Sequence, residues 1–145
     1  MHVMNNAAFG RRTRVVRSAF AALAWLLTAC IAVQTLLAGA AVFHDPDFWR
    51  MHNKFVPMFE WLPLVMLILA FPGKFAASVK WSAAALLALI VLQYVTASFS
   101  GIGMLHTVIA LLMFLLAYRT AVNAMRAYRA LYAPASRGPQ YFPQP

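Results

Sequence analysis

The sequence predicts an all-α integral membrane protein, an antiparallel four-helix bundle with both termini in the cytoplasm. The chain of 145 residues is 63% hydrophobic and only 10% charged, whereas soluble domains are near half apolar and a quarter charged. Four apolar blocks each approach the ~20 residues that cross a bilayer. The basic residues lie between these blocks, so the net charge of +9 is explained by membrane topology, and no nucleic-acid partner is predicted.

Each span has its own sequence signals. A basic segment, residues 1–17, precedes the first span, residues 18–43. The second span is predicted as one helix over 46–71, because Asp45 is a good N-cap and Pro46 suits the first helical position. Short connections favour an antiparallel bundle. The other predicted boundaries are a third span at 81–100, a fourth at 101–125, a transmembrane domain of 18–132 and a Pro-rich tail at 133–145.

Loop charges set the orientation. The end of the bundle that carries both termini has ten basic residues: Arg11, Arg12, Arg14, Arg17, Lys74, Lys80, Arg119, Arg126, Arg129 and Arg137. The opposite end has only Arg50 and Lys54, together with Asp45 and Asp47. Because basic loops stay on the cytoplasmic side, both termini are predicted there, in a bacterial inner membrane.

The cysteine content excludes some classes of site. A single Cys excludes a disulfide framework and a Cys-based metal centre. The sequence Leu27-Thr28-Ala29-Cys30 resembles a lipoprotein cleavage box, but hydrophobic residues continue to Phe43. An uncleaved first span is therefore favoured over a lipidated Cys30.

Two histidines are the leading candidates for a site. With helix starts at Pro46 and Gly101, His52 lies ~9 Å and His106 ~7.5 Å along parallel helices. Imidazoles at similar depth are suited to bind one haem iron from opposite faces. In this interpretation Arg50 and Lys54 pair with the haem propionates.

Two alternatives to haem remain open at these positions. Histidines near a membrane surface often serve only as interfacial or packing residues. Copper is a weaker option, because Met51 and Met104 lie beside His52 and His106 and copper binds thioether and imidazole ligands.

Three further polar residues fall inside predicted spans. Glu60 needs protonation, a partner or a polar cavity at that depth. Gln34 and Gln93 are expected to hydrogen-bond across helices. An oligomeric proton or solute conduit centred on Glu60 is a third class of function.

A family resemblance supports the haem interpretation. Leu92-Gln93, Gly101, Leu105-His106 and the Ala110-Leu111-Leu112 run resemble the third and fourth helices of one half of the haem A synthase family. Gln34 and Gly39 resemble residues of that family's first helix, and the chain also resembles small uncharacterised bacterial four-helix membrane proteins. The resemblance implies that His52 and His106 are haem ligands.

One departure from that family limits the expected chemistry. The family carries an acidic residue three positions before its first histidine, whereas this chain has Trp49 there. The resemblance therefore implies binding of a b-type haem for electron transfer or redox sensing, rather than haem oxidation.

The sequence offers no support for an enzyme. No hydrolase motif or phosphate-binding glycine loop is present. The alternative to a haem protein is a cofactor-free accessory subunit that packs against a larger membrane complex or forms a homo-oligomer.

Overall fold

Five α-helices make up the described part of the chain. The computed structural model describes residues 2–131, with side chains from residue 10 onward, so the predicted tail 133–145 and Arg137 lie outside the described residues. No strand occurs between residues 2 and 131. The helices are α1 (His2–Phe43), α2 (Phe48–Phe59), α3 (Leu62–Ala70), α4 (Ala77–Ser98) and α5 (Met104–Arg129).

Four helical stretches are long and apolar enough to cross a membrane. They are Gly10–Phe43, Phe48–Ala70, Ala77–Ser98 and Met104–Arg129. The basic residues predicted as a separate N-terminal segment lie on α1 itself, which has 42 residues and is therefore ~63 Å long. This length exceeds the ~30 Å hydrocarbon core of a bilayer, so α1 continues well beyond its apolar part.

The predicted second span corresponds to Phe48–Ala70, but a two-residue turn interrupts it where one continuous helix over 46–71 was expected. Glu60 and Trp61 form a turn between α2 and α3. Pro63 has no N–H to donate to the carbonyl of Phe59, and its ring crowds that carbonyl. The backbone therefore leaves the regular helix at Glu60, close to the middle of the Phe48–Ala70 stretch.

Two predicted helix starts also need correction. Asp45 caps a turn instead of the helix, because its Oδ1 accepts the N–H of Asp47 at 2.9 Å, and α2 begins only at Phe48. A 3-10 turn, Ser100–Ile102, precedes α5, which begins at Met104. His52 and His106 consequently lie ~6 Å and ~3 Å along their helices, nearer the helix ends than predicted.

Small side chains allow α1 and α5 to pack closely. Both helices contribute to one buried core cluster that also contains Phe20, Leu27, Leu62, Met66 and Leu86. The alanines of this cluster on the two helices are fully or almost fully buried: Ala21, Ala24, Ala117, Ala121 and Ala124. Methyl-sized side chains bring helix backbones close together, and α2, α3 and α4 then complete the bundle around this pair.

Arg17 holds three chain segments together at one end of the bundle, which we call the arginine end. Its guanidinium donates to the carbonyls of Gly73 at 2.9 Å, Ala127 at 2.8 Å and Lys74 at 3.1 Å. It also lies 5.4 Å from the centre of the Phe75 ring. These carbonyls belong to the α3–α4 connection and to the last turns of α5. The contacts therefore hold α1, that connection and α5 together at the arginine end.

Candidate functional site

A cavity of about 620 Å³ lies between α1, α2, α4 and α5. It is on the side of the bundle that carries the 44–47 and 99–103 connections, which we call the histidine end. The polar residues among those that line it are Gln34, Thr35, His52, Asn53, Glu60, Gln93, Tyr94, Thr96, Ser100, His106 and Thr107. Both predicted histidines and all three predicted polar residues within the spans therefore meet in one cavity.

Gln34 of α1 and His52 of α2 hold each other through two hydrogen bonds. The Gln34 side-chain Nε2 donates to the backbone carbonyl of His52 at 2.8 Å. In return, Nδ1 of His52 lies 3.1 Å from the backbone carbonyl of Gln34. We call this pair a Gln–His unit, because each residue satisfies a backbone carbonyl of the other.

A second Gln–His unit joins α4 to α5. Nδ1 of His106 lies 3.1 Å from the backbone carbonyl of Gln93 and 3.4 Å from Oγ1 of Thr96. With its amide nitrogen turned toward α5, the Gln93 side chain donates to the His106 carbonyl at 3.0 Å. Its oxygen then accepts the N–H of Ala110, also at 3.0 Å. The two units thus repeat one arrangement on two pairs of helices.

The Gln34 carbonyl fixes the tautomer of His52. A backbone carbonyl can only accept a hydrogen bond, so Nδ1 of His52 carries the proton and Nε2 has the free lone pair. Histidines that bind metals are oriented in this manner, by donating the other ring N–H to a carbonyl or carboxylate. Nδ1 of His106 lies near both the Gln93 carbonyl, an acceptor, and the turned Gln93 amide nitrogen, a donor at 2.9 Å, so these contacts admit either tautomer of His106.

The spacing of the two rings suits one metal ion between them. The ring centroids of His52 and His106 are 6.4 Å apart, with an angle of 53° between the ring planes. Two imidazoles on opposite sides of one metal, with metal–nitrogen bonds of about 2.0 Å, have centroids roughly 6.3 Å apart. A tetrahedral site would bring them closer, so the spacing favours two axial ligands.

The surroundings also fit a haem better than a bare metal ion. Among the described residues no three His, Cys, Asp or Glu side chains form a metal-binding group, and a haem iron needs only two axial ligands from the protein. The cavity volume is within the ~300–1,000 Å³ range of cofactor and ligand sites. The buried Oε1 of Gln34 has no hydrogen-bond partner in the described part of the chain, and a b-type haem with ionised propionates offers it no N–H or O–H donor, so this acceptor does not distinguish a haem from another ligand.

Glu60 meets Tyr94 at the other end of the same cavity. The phenol O–H of Tyr94 donates to Oε2 of Glu60, so this hydrogen bond connects the α2–α3 break to α4. The sequence did not predict Tyr94 as the partner of Glu60. The available signal was a tyrosine inside an apolar span, because a phenol O–H away from water needs a hydrogen-bond partner.

The two basic residues expected to pair with haem propionates, Arg50 and Lys54, lie away from the cavity. Arg50 forms an exposed ion pair with Asp47 at 2.7 Å, and neither Arg50 nor Lys54 lines the cavity. Met51 and Met104 are 56% and 79% exposed and are likewise absent from the lining. Neither Met51 nor Met104 therefore shares the cavity with His52 and His106.

The fold and site together define a helical protein with membrane-type spans and a paired-histidine cavity. Residues 34–99 match the family model described as Family of unknown function (DUF6220). The match covers less than half of the chain. It contains Gln34, His52, Glu60 and Tyr94 but ends before His106.

No curated protein and no solved structure matches the chain significantly. None of these comparisons tests the resemblance to haem A synthase, which stays a prediction.

Proposed function

We propose that the chain is a small membrane protein that binds one b-type haem and transfers single electrons. The observation that carries this proposal is the pair of Gln–His units. They hold two imidazoles in one cavity with ring centroids 6.4 Å apart, and the Gln34 carbonyl places the proton of His52 on Nδ1. In the proposed complex, Nε2 of His52 and Nε2 of His106 bind the iron.

We further propose the orientation of the bundle in the membrane. The helices run antiparallel, both termini face the cytoplasm of a bacterium, and the histidine end faces outward. The distribution of Lys and Arg in the connections supports this orientation. The haem then lies nearer the outer surface, where a partner on that side of the membrane can exchange electrons with it.

The residues of the chain have separate roles in this proposal. A bound haem supplies a one-electron couple at the iron. The Gln–His units orient the imidazoles and raise their basicity by accepting the Nδ1–H bonds. Phe59, which is buried, and the partly exposed Trp49 and Phe99 line the cavity and would contact a bound porphyrin, and the solvent access that they leave would help set its reduction potential.

The test is a reduced-minus-oxidised visible spectrum of the purified chain in detergent, expressed with ample haem supply. We expect sharp α and Soret bands and one haem per chain by pyridine haemochrome assay. His52→Ala and His106→Ala should each abolish the low-spin bands, because one axial ligand is lost.

His44→Ala is the matched control. His44 is exposed, lies 6.0 Å from the Phe48 ring and does not line the cavity, so its loss should leave the spectrum unchanged. A folded wild-type chain with no haem absorbance would overturn the proposal and favour the cofactor-free accessory subunit.

A further inference from the structure

We propose that Glu60 and Tyr94 form a redox-linked proton-binding site, in which Glu60 takes up one proton when the haem is reduced. This inference rests on the proposed haem function. It assigns a chemical role to a hydrogen-bonded pair that haem ligation does not use.

The position of Glu60 is the first argument. Its side chain lines the same cavity as His52 and His106, eight residues beyond His52 in the sequence and therefore ~12 Å along the helix direction. Glu60 is the acidic residue of the cavity lining. A charge added at such a distance still acts on the carboxylate at the effective dielectric constant of about 20 that describes protein sites.

The partners of Glu60 are the second argument. Tyr94 of α4 donates a hydrogen bond to Glu60, and Tyr94 itself is 48% exposed. The titratable groups that share the cavity with Glu60 are Tyr94, His52 on its own helix and His106 on α5. The α1 lining contributes only neutral side chains, among them Gln34 and Thr35, and α3 has no titratable residue.

No basic side chain neutralises Glu60 within this lining. Arg50 is paired with Asp47, and neither Arg50 nor Lys54 lines the cavity. A carboxylate in this position therefore balances part of the positive charge of a ferric haem. Reduction removes that positive charge. Protonation of the Glu60 carboxylate is then more favourable, because no nearby positive charge stabilises its ionised form.

The step balances in atoms and charge. One electron from an external one-electron donor enters the haem, and one proton from water adds to a carboxylate oxygen of Glu60, forming an O–H bond. Tyr94 keeps its own proton, and no other bond breaks. Asn53, Ser100 and Thr107 also line the cavity, and in this proposal the proton enters past these polar side chains.

The experiment is a potentiometric titration of the full-length chain with haem in lipid nanodiscs at several pH values. We expect the redox equilibrium of the wild type to change up to tenfold per pH unit, which for one electron corresponds to ~59 mV. Glu60→Gln should abolish this pH dependence while haem content and absorption bands stay normal, because the amide keeps an oxygen acceptor for Tyr94.

Asp47→Asn is the matched control. It removes a carboxylate that is exposed and paired with Arg50, so the pH dependence should remain. Redox-difference infrared spectra give a second readout. A carboxylic C=O band should appear on reduction in the wild type and in Asp47→Asn, and it should be missing in Glu60→Gln.

The outcomes separate the two proposals. Normal haem bands with a potential independent of pH in the wild type would overturn the proton-binding site alone. The same conclusion would follow if Glu60→Gln kept the wild-type pH dependence. A wild-type chain without haem bands would overturn both the haem proposal and the proton-binding proposal.

Discussion

Gln34 and His52 bind each other through two hydrogen bonds that run in opposite directions between α1 and α2. The amide of Gln34 donates to the His52 carbonyl, while Nδ1 of His52 donates to the Gln34 carbonyl. Neither bond depends on a charged residue, so both remain strong inside a membrane. The orientation of the imidazole is therefore determined before any ligand binds.

Gln34→Ala should weaken haem binding although it removes no ligand. The substitution deletes the bond from the Gln34 side chain to the His52 carbonyl, which joins α1 to α2, while the backbone carbonyl that pairs with Nδ1 of His52 stays. Loss of a group that orients a metal ligand typically lowers affinity 10–100-fold, and because one of the two bonds remains we expect a loss of at most about tenfold in a haem titration of the apo-protein. Ser82→Ala is the control, because Ser82 is half-buried, does not line the cavity and donates to the Ser78 carbonyl within its own helix. Equal affinity of the two variants would contradict this role.

Gly73→Ala should destabilise the arginine end. A Cβ at Gly73 would lie 2.7 Å from a ring carbon of Phe75 and 3.0 Å from the Leu69 carbonyl. Since Phe75 is itself buried, the clash should cost about 1–3 kcal/mol, seen as a lower midpoint of thermal unfolding in detergent. Gly39→Ala is the matched control, because nothing lies within 4 Å of its added Cβ. Equal midpoints would show that the Phe75 ring moves aside freely.

Arg17→Lys should lower stability while preserving the positive charge at this position. Lysine cannot reproduce a fork that reaches three carbonyls at once, and hydrogen bonds to charged groups contribute about 1.5–3 kcal/mol each. We expect a clear loss of stability in thermal unfolding. Arg12→Lys, at an exposed position of the same helix, should behave like the wild type. Identical unfolding of both variants would exclude a structural role for the fork.

The proposed orientation predicts which positions a membrane-impermeant maleimide can reach in intact cells. In a Cys30→Ala background, Asp47→Cys should be labelled from outside, because Asp47 lies in the connection at the histidine end. Ser78→Cys, near the arginine end, should be labelled only after the membrane is opened. The reverse labelling pattern would show that the bundle has the opposite orientation in the membrane.

The sequence was sufficient to locate the four helical stretches, because hydrophobicity and length determine them. It was insufficient at Glu60, where Pro63 interrupts a pattern that otherwise continues as one helix. It also missed the turn at Asp45, since the same side chain can cap either a helix or a turn. These errors concern local hydrogen bonds, which hydrophobic periodicity does not record.

The residues of the site were easier to predict than their partners. His52, His106, Glu60 and the two glutamines were selected because polar residues are rare in apolar spans. Their pairing depends on how each helix is rotated about its axis, and on backbone carbonyls that no residue type identifies. For this reason neither the reciprocal Gln–His bonds nor the role of Tyr94 was predicted.

The buried alanines between α1 and α5 determine how far apart the other elements of the cavity stand. Ala117 lies eleven residues from His106, or ~16 Å along α5, yet a larger side chain there would push α5, and His106 with it, away from α1. The width of the cavity thus depends on residues in the middle of α5, whereas its chemistry is set at the histidine end. Sequence changes outside the cavity lining can therefore alter which ligand fits without touching the groups that would bind it.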